Sequence, residues 1–191
     1  MARDALHTNA RDRDLELVRR VRRGDDDAFG QIVDTHGPRL YVLALSMLGN
    51  REDAQDTVQE TFIGAFRGLQ RFKARASVKT WLTRILMNNA INCRRRRKIR
   101  KTLPLEGEYE HPGGSLKDTR TQTGRDQVRM DFAEVLTLLP EEQQQVVLLR
   151  EVQSMTYDEI AQTLDIPRGT VESRLFRARQ KLKDLLGDYL T

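Results

Sequence analysis

Apolar positions recur at helical spacing along almost the whole chain, and no stretch alternates as a half-buried strand does. Leu15, Val18 and Val21 share one face of a first helix that stops at Gly24. Asp25 is placed to cap a second, whose inward stripe is Ala28, Phe29, Ile32 and Val33. Gly37-Pro38 is expected to interrupt or kink it before Leu40, Tyr41, Ala44, Leu45 and Leu48 carry the pattern on to Gly49. Asn50 opens a third helix buried through Val58, Phe62, Ala65 and Leu69. After a break at 73–76, Ser77 caps a fourth with the stripe Val78, Trp81, Leu82, Ile85 and Asn89.

From Thr102 to about Arg125 the periodicity vanishes. Pro104, Gly107, Pro112, Gly113 and Gly114 fall there, and Glu106, Glu108 and Glu110 make the first half acidic, so the segment reads as a linker. Helical spacing resumes near Asp126 and predicts four shorter helices. The expected fold is all-α: two small helical domains joined by a flexible linker. Its divisions are a tail at 1–14, a domain at 15–101, the linker at 102–125 and a domain at 126–191. A chain of 191 residues is comfortable for two such cores.

The sharpest local signal lies between Thr156 and Lys183. Thr156 and Glu159 have capping-box spacing, and Ile160, Ala161 and Leu164 form the inner face of a short helix. Asp165 tolerates the left-handed turn that must follow, Ile166 plugs the angle, and Pro167 starts the next helix. That helix packs through Val171, Leu175, Ala178 and Leu182, which turns Ser173, Phe176, Arg177 and Gln180 outward. Arg168, Arg174, Arg179 and Lys181 flank the outward face, with Glu172 the acid among them. An apolar rear, a face of base-reading side chains and flanking guanidinium groups are what a helix-turn-helix needs to read duplex DNA.

Charge supports a polyanionic partner: the formal net charge is +5. The end of the fourth helix is a basic run, Arg94 to Lys98 with Arg100 and Lys101, which a helix C-terminus favours in any case. The same helix presents Lys79, Arg84 and Asn88 away from Trp81, and it follows a loop with Phe72, Lys73 and Arg75. Aromatic and amide groups beside a cationic track suit single-stranded nucleic acid. Trp81 itself reads as core. The third helix carries Asp53, Asp56 and Glu60 on the face away from Val58 and Phe62, a place for a basic protein partner. The lone cysteine, Cys93, excludes an internal disulfide, and the 3 histidines are scattered. No metal, cofactor or small-molecule substrate is expected. No apolar run reaches the roughly 20 residues that span a bilayer, and the N-terminus lacks a secretory stretch, so the cytoplasm is the expected location.

Taken together, the chain resembles a small bacterial RNA polymerase sigma factor of the extracytoplasmic-function group. Residues 56–62 resemble the polymerase-binding helix of that family. Phe72 to Ser77, Thr80-Trp81-Leu82 and Asn88 resemble its module for the promoter −10 element, and Leu139-Pro140 to Glu151 with Tyr157 to Arg179 resemble its −35 domain. The resemblance implies that Asp53, Asp56, Gln59 and Glu60 dock on core polymerase. It implies that Phe72, Lys73, Arg75, Ser77, Lys79, Arg84 and Asn88 hold the non-template strand of the −10 element, with a base flipped toward Phe72 and Asn88. The −35 duplex would fall to Arg168, Glu172, Ser173, Arg174, Phe176, Arg177, Arg179 and Gln180, and the linker would thread the polymerase cleft. Regulation would come from an anti-sigma protein. Glu172, where relatives commonly carry a base, and Pro167, where they often have a small hydroxyl, leave the −35 sequence open.

Other functions fit less of the chain. A conventional regulator accounts for the helix-turn-helix and leaves the Phe72–Asn88 region beside an acidic helix without a purpose. A nuclease would need clustered carboxylates or histidines, and an RNA adaptor would not need a helix-turn-helix.

Overall fold

The computed structural model describes residues 2–102 and 135–187, and no strand occurs among them. In chain order the helices are α1 (Ala2–Arg22), α2 (Asp26–Leu48), α3 (Arg51–Gly68), a 3-10 turn (Leu69–Arg71), α4 (Val78–Thr102), α5 (Glu141–Glu151), α6 (Tyr157–Leu164) and α7 (Arg168–Gly187). A short helical turn at 135–137 precedes α5. The expected linker beyond Thr102 and the first helix expected after Asp126 lie outside the described residues. Among the described residues no helix is long and apolar enough to cross a membrane. α1 starts well before Leu15, so it takes in residues set apart above as a tail.

The helix boundaries follow side-chain chemistry. Asp25 accepts from the Ala28 amide at the start of α2, and Asn50 does the same for Asp53 at the start of α3. Between them Gly49 closes α2 in the left-handed conformation, φ 74°. Gly49→Ala should therefore destabilise the first block by about 1–2 kcal/mol, measured by urea unfolding, because an L side chain is strained there.

Gly37-Pro38 does not interrupt α2, which runs unbroken through Pro38. The missing amide forfeits one helical bond, yet the helix continues past it. Ile32, Leu40, Leu43 and Ala44 are buried on either side of it. His36 lies 3.2 Å from the carboxylate of Asp14, and this pair, 11% and 9% exposed, ties α1 to α2 two residues before Pro38.

α3 buries Ala54, Thr57, Thr61, Phe62 and Ala65, a stripe turned from the expected one, with Val58 only half-buried. The threonines are tolerated inside because they find partners. Thr61 Oγ1 donates to the Thr57 carbonyl at 2.7 Å and accepts from Asn89 Nδ2 of α4 at 3.2 Å. α4 is the centre of the molecule. It packs against α2 and α3 and also against α6, and so buries Leu86 and Met87 besides Val78 and Leu82. One continuous apolar core runs from Leu17 to Ala178.

Candidate nucleic-acid interfaces

The loop between the 3-10 turn and α4 is braced from behind. The Arg22 guanidinium donates to the carbonyls of Leu69, at 3.2 and 3.0 Å, and of Phe72. Ala74 takes a left-handed conformation, φ 55°, which bends the loop back toward α4. Ser77 is occupied in capping α4: its hydroxyl oxygen accepts from the Thr80 amide at 3.1 Å. The Phe72 ring is buried and tilts 39° against Trp81, centroids 4.8 Å apart. Trp81 is half-buried, and it walls a cleft of about 450 Å³ together with Arg71, Phe72, Lys73, Arg75 and Arg84. It thus packs on the core and also lines the candidate cleft. Asn88 is exposed but lies one turn beyond Arg84, outside the cleft wall, so Phe72 and Asn88 do not line one pocket. Lys79 is half-buried, and burial above all, with the Arg39 charge second, pushes its ammonium below the usual lysine range.

The helix-turn-helix forms as its residues require. Thr156 accepts from the Glu159 amide at 3.2 Å while the Glu159 carboxylate accepts from the Thr156 amide at 2.8 Å. Asp165 is left-handed, φ 57°, and Val171, Leu175 and Ala178 seat α7 on the core. Phe176 stands 65% exposed, with Arg177 and Gln180 beside it. Ser173 does not point freely outward; it is half-buried and its hydroxyl donates to the Thr170 carbonyl at 3.0 Å, the back-bonding that helical serines favour.

The flanking arginines are held by acids. Arg168 sits 3.0 Å from Glu172 and 3.2 Å from Asp158, and the Glu172 hydrogen bond leads in raising its already high basicity. Glu172 is in turn the i,i+4 partner of Arg168, a local reason for an acid on this helix. Arg174, only 20% exposed, pairs with Glu142 at 2.7 Å. Arg179 bonds Tyr157, the main cause of its raised basicity, and lies 3.5 Å from Glu151. The Tyr157 ring also carries Arg150 at 5.4 Å. Helical spacing could not reveal that ring as a hub.

The acidic face of α3 divides. Asp53 accepts from Asn50 Nδ2 at 2.6 Å and from Arg97 at 3.4 Å, while Glu60 lies 3.8 Å from Arg96. Asp56 is exposed. Gln59 faces a different surface, an apolar hollow of about 440 Å³ lined by Phe29, Tyr41, Val58, Phe62 and Ile63. Burial, and next the Asp53 charge, raise the Cys93 thiol above its ordinary value, so it is held as a thiol.

A helix bundle with a cationic aromatic cleft is followed by a helix-turn-helix, the fold of a DNA-binding protein. Residues 32–100 match the family model described as Sigma-70 region 2, and residues 129–182 match Sigma-70, region 4. The RNA polymerase sigma-H factor of Pseudomonas aeruginosa is 34% identical over 182 residues, which cover 92% of this chain and 94% of that protein. The ECF RNA polymerase sigma-E factor of Escherichia coli is 35% identical over 176 residues, 88% and 92% of the two chains. Among solved structures, CnrH in complex with the cytosolic domain of CnrY aligns with a TM-score of 0.72 at 27% identity, over 92% of this chain and 98% of the other. RpoE in complex with the anti-sigma factor NepR from Bartonella quintana aligns at 0.64 and 27%, over 83% and 96%. This chain belongs to the sigma-70 family of RNA polymerase sigma factors, in its extracytoplasmic-function group. It is a transcription initiation factor that directs RNA polymerase to promoters.

Proposed function

We propose that this protein performs no chemistry of its own and works in the cytoplasm by giving core polymerase two separate promoter contacts. The Phe72–Trp81 cleft, with Lys73, Arg75 and Arg84 at its wall and Lys79 and Asn88 on the same helix, would take the −10 non-template strand and so help melting. The α7 face around Phe176, Arg177 and Gln180 would read the −35 duplex. Asp56 and Glu60, next to the apolar hollow at Gln59, would dock on core polymerase, with Asp53 mainly holding the start of α3. The observation that carries this reading is the cationic aromatic cleft at the head of α4. Aromatic faces and guanidinium groups are what an unstacked base and its phosphates bind. An anti-sigma protein is the expected antagonist, since the aligned RpoE of Bartonella quintana is a sigma factor in complex with the anti-sigma factor NepR.

Adding the purified chain to sigma-free core polymerase on genomic DNA should yield discrete start sites that share −35 and −10 elements. Absence of specific starts would sink the reading. On those promoters, Arg177→Ala should cost about 1–3 kcal/mol of discrimination between matched and mismatched −35 duplexes, because Arg177 sits at the centre of the exposed face. Arg179→Ala should weaken all duplexes alike and also loosen the packing at Tyr157. Equal effects of the two on every sequence in a mobility-shift titration would refute the assignment.

A further inference from the structure

Between Arg168 and Lys183 the sequence carries one acid, Glu172, and it is exposed on the candidate reading face of α7. Phe176 follows one turn later and Gln180 one turn after that, so the three share a stripe along the helix. Side chains near the start of a recognition helix are the ones that reach base edges in the major groove. Ser173, the neighbouring candidate, has its hydroxyl turned back onto the Thr170 carbonyl. Glu172 is held in place. Its Oε1 accepts from Arg168 Nε at 3.0 Å, and Asp158 of α6 accepts from Arg168 Nη1 through both oxygens, at 3.3 and 3.2 Å. A guanidinium is planar, so contacts at Nε and Nη1 fix its plane. The trio thus spans the two helices of the helix-turn-helix and faces solvent, with Asp158, Arg168 and Glu172 65%, 58% and 50% exposed along their side chains.

We propose that Glu172 sets one step of the −35 sequence by accepting from the exocyclic amino group of a cytosine, with Arg168 and Asp158 bracing its carboxylate. The proposal rests on the assignment of α7 to the −35 duplex and adds to it the base that one position requires. An ionised carboxylate only accepts, and Arg168 engages Oε1, which leaves Oε2 for the base. Guanine and thymine turn acceptors toward the major groove, and adenine sets its N7 acceptor beside its amino group. Cytosine presents its amino group alone. One carboxylate therefore both attracts the right base and repels the wrong ones. Phosphates flanking the groove repel a bare carboxylate, and the Arg168 charge 3.0 Å away offsets that repulsion. Each exposed pair is weak alone, but the two share one guanidinium and come from different helices. Asp158 is thus a positioning residue, which acts through Arg168 and touches no base.

The test uses the full chain and −35 duplexes from promoters mapped with core polymerase, each base pair replaced in turn and each duplex titrated by mobility shift. The unmutated chain should prefer cytosine about tenfold at one step. Glu172→Gln, whose amide both donates and accepts, should move the preference at that step to adenine and leave the other steps as they were. Asp158→Asn should weaken the cytosine preference severalfold at the same step alone, whereas a merely structural role would lower every duplex alike. Both variants remove one negative charge, so any general gain in affinity is common to all sequences and drops out of the ratios. The lack of a cytosine-selective step, or base preferences that Glu172→Gln leaves unchanged, overturns the proposal. A cytosine preference untouched by Asp158→Asn overturns the bracing. Arg177→Ala locates the error: if it alters discrimination where Glu172→Gln does not, α7 reads the duplex without Glu172. If neither alters it, the proposal falls together with the −35 assignment.

Discussion

Reversing the charge at Asp56 and Glu60 together should weaken binding to core polymerase by at least about tenfold and leave both blocks folded. Both residues are exposed on α3, so lysine at either position opens no cavity. The structural cost is confined to Glu60, whose carboxylate is 3.8 Å from Arg96 in a pair 54–59% exposed. Exposed pairs of this kind contribute about 0.2–1 kcal/mol, too little to unfold the bundle. A docking interface responds differently, because two like charges brought together across it cost several kcal/mol. Asp53 should be left alone in the same experiment: it accepts from Asn50 at 2.6 Å, and its loss would fray the start of α3 and confuse the result. Pull-down with core polymerase measures the first effect, and circular dichroism melting checks the second. Undiminished pull-down by a folded double variant would move the docking surface elsewhere, with the apolar hollow at Val58 and Phe62 the next surface to test.

What the sequence revealed and what it concealed have separate physical causes. Caps are local, so Asp25, Asn50, Ser77 and Thr156 could each be read from a few residues, and each accepts the amide its position requires. The left-handed turn at Asp165 was legible for the same reason. Burial is not local. α4 packs against α2, α3 and α6, and a single-stripe reading missed Leu86 and Met87. The packing around Pro38 is not local either: the nearby Asp14–His36 contact joins residues 22 apart. The residues proposed to face DNA were legible as types and only partly as geometry. Trp81 read as core because its spacing fits the α4 stripe, yet it is half-buried on the cleft wall beside Arg84. Ser173 read as outward because no periodicity can say that its hydroxyl turns back onto Thr170. Spacing could offer Arg168 its i,i+4 partner Glu172, but not the pairs of Arg168, Arg174 and Arg179 with Asp158, Glu142 and Glu151, which come from other helices. Contact with phosphate must compete with those acids.

Asn88→Ala should impair open-complex formation by about tenfold or more while leaving initial closed binding nearly intact. Asn88 is exposed one turn after Arg84, and an exposed amide offers donors and an acceptor to a base edge. A base contact of this kind carries about 1–3 kcal/mol of discrimination, against a stability change of about half a kcal/mol for a surface polar residue with no such role. Asn88 stands outside the Phe72–Trp81 cleft, so the base proposed for it would be a different one from the base proposed for the cleft. The neighbouring amide supplies an internal contrast. Asn89 Nδ2 donates to Thr61 at 3.2 Å between α4 and α3, so Asn89→Ala should cost about 1 kcal/mol of stability and show no base dependence. Permanganate footprinting on a linear promoter, set beside one carrying a pre-melted −10 bubble, separates capture from melting. The Asn88→Ala defect should persist on the bubble, where a base must still be held, and should vanish when the base it reads is already replaced. Opening of the intact duplex by the Asn88→Ala protein at the unmutated rate would remove Asn88 from the −10 site and leave it a solvated side chain of α4.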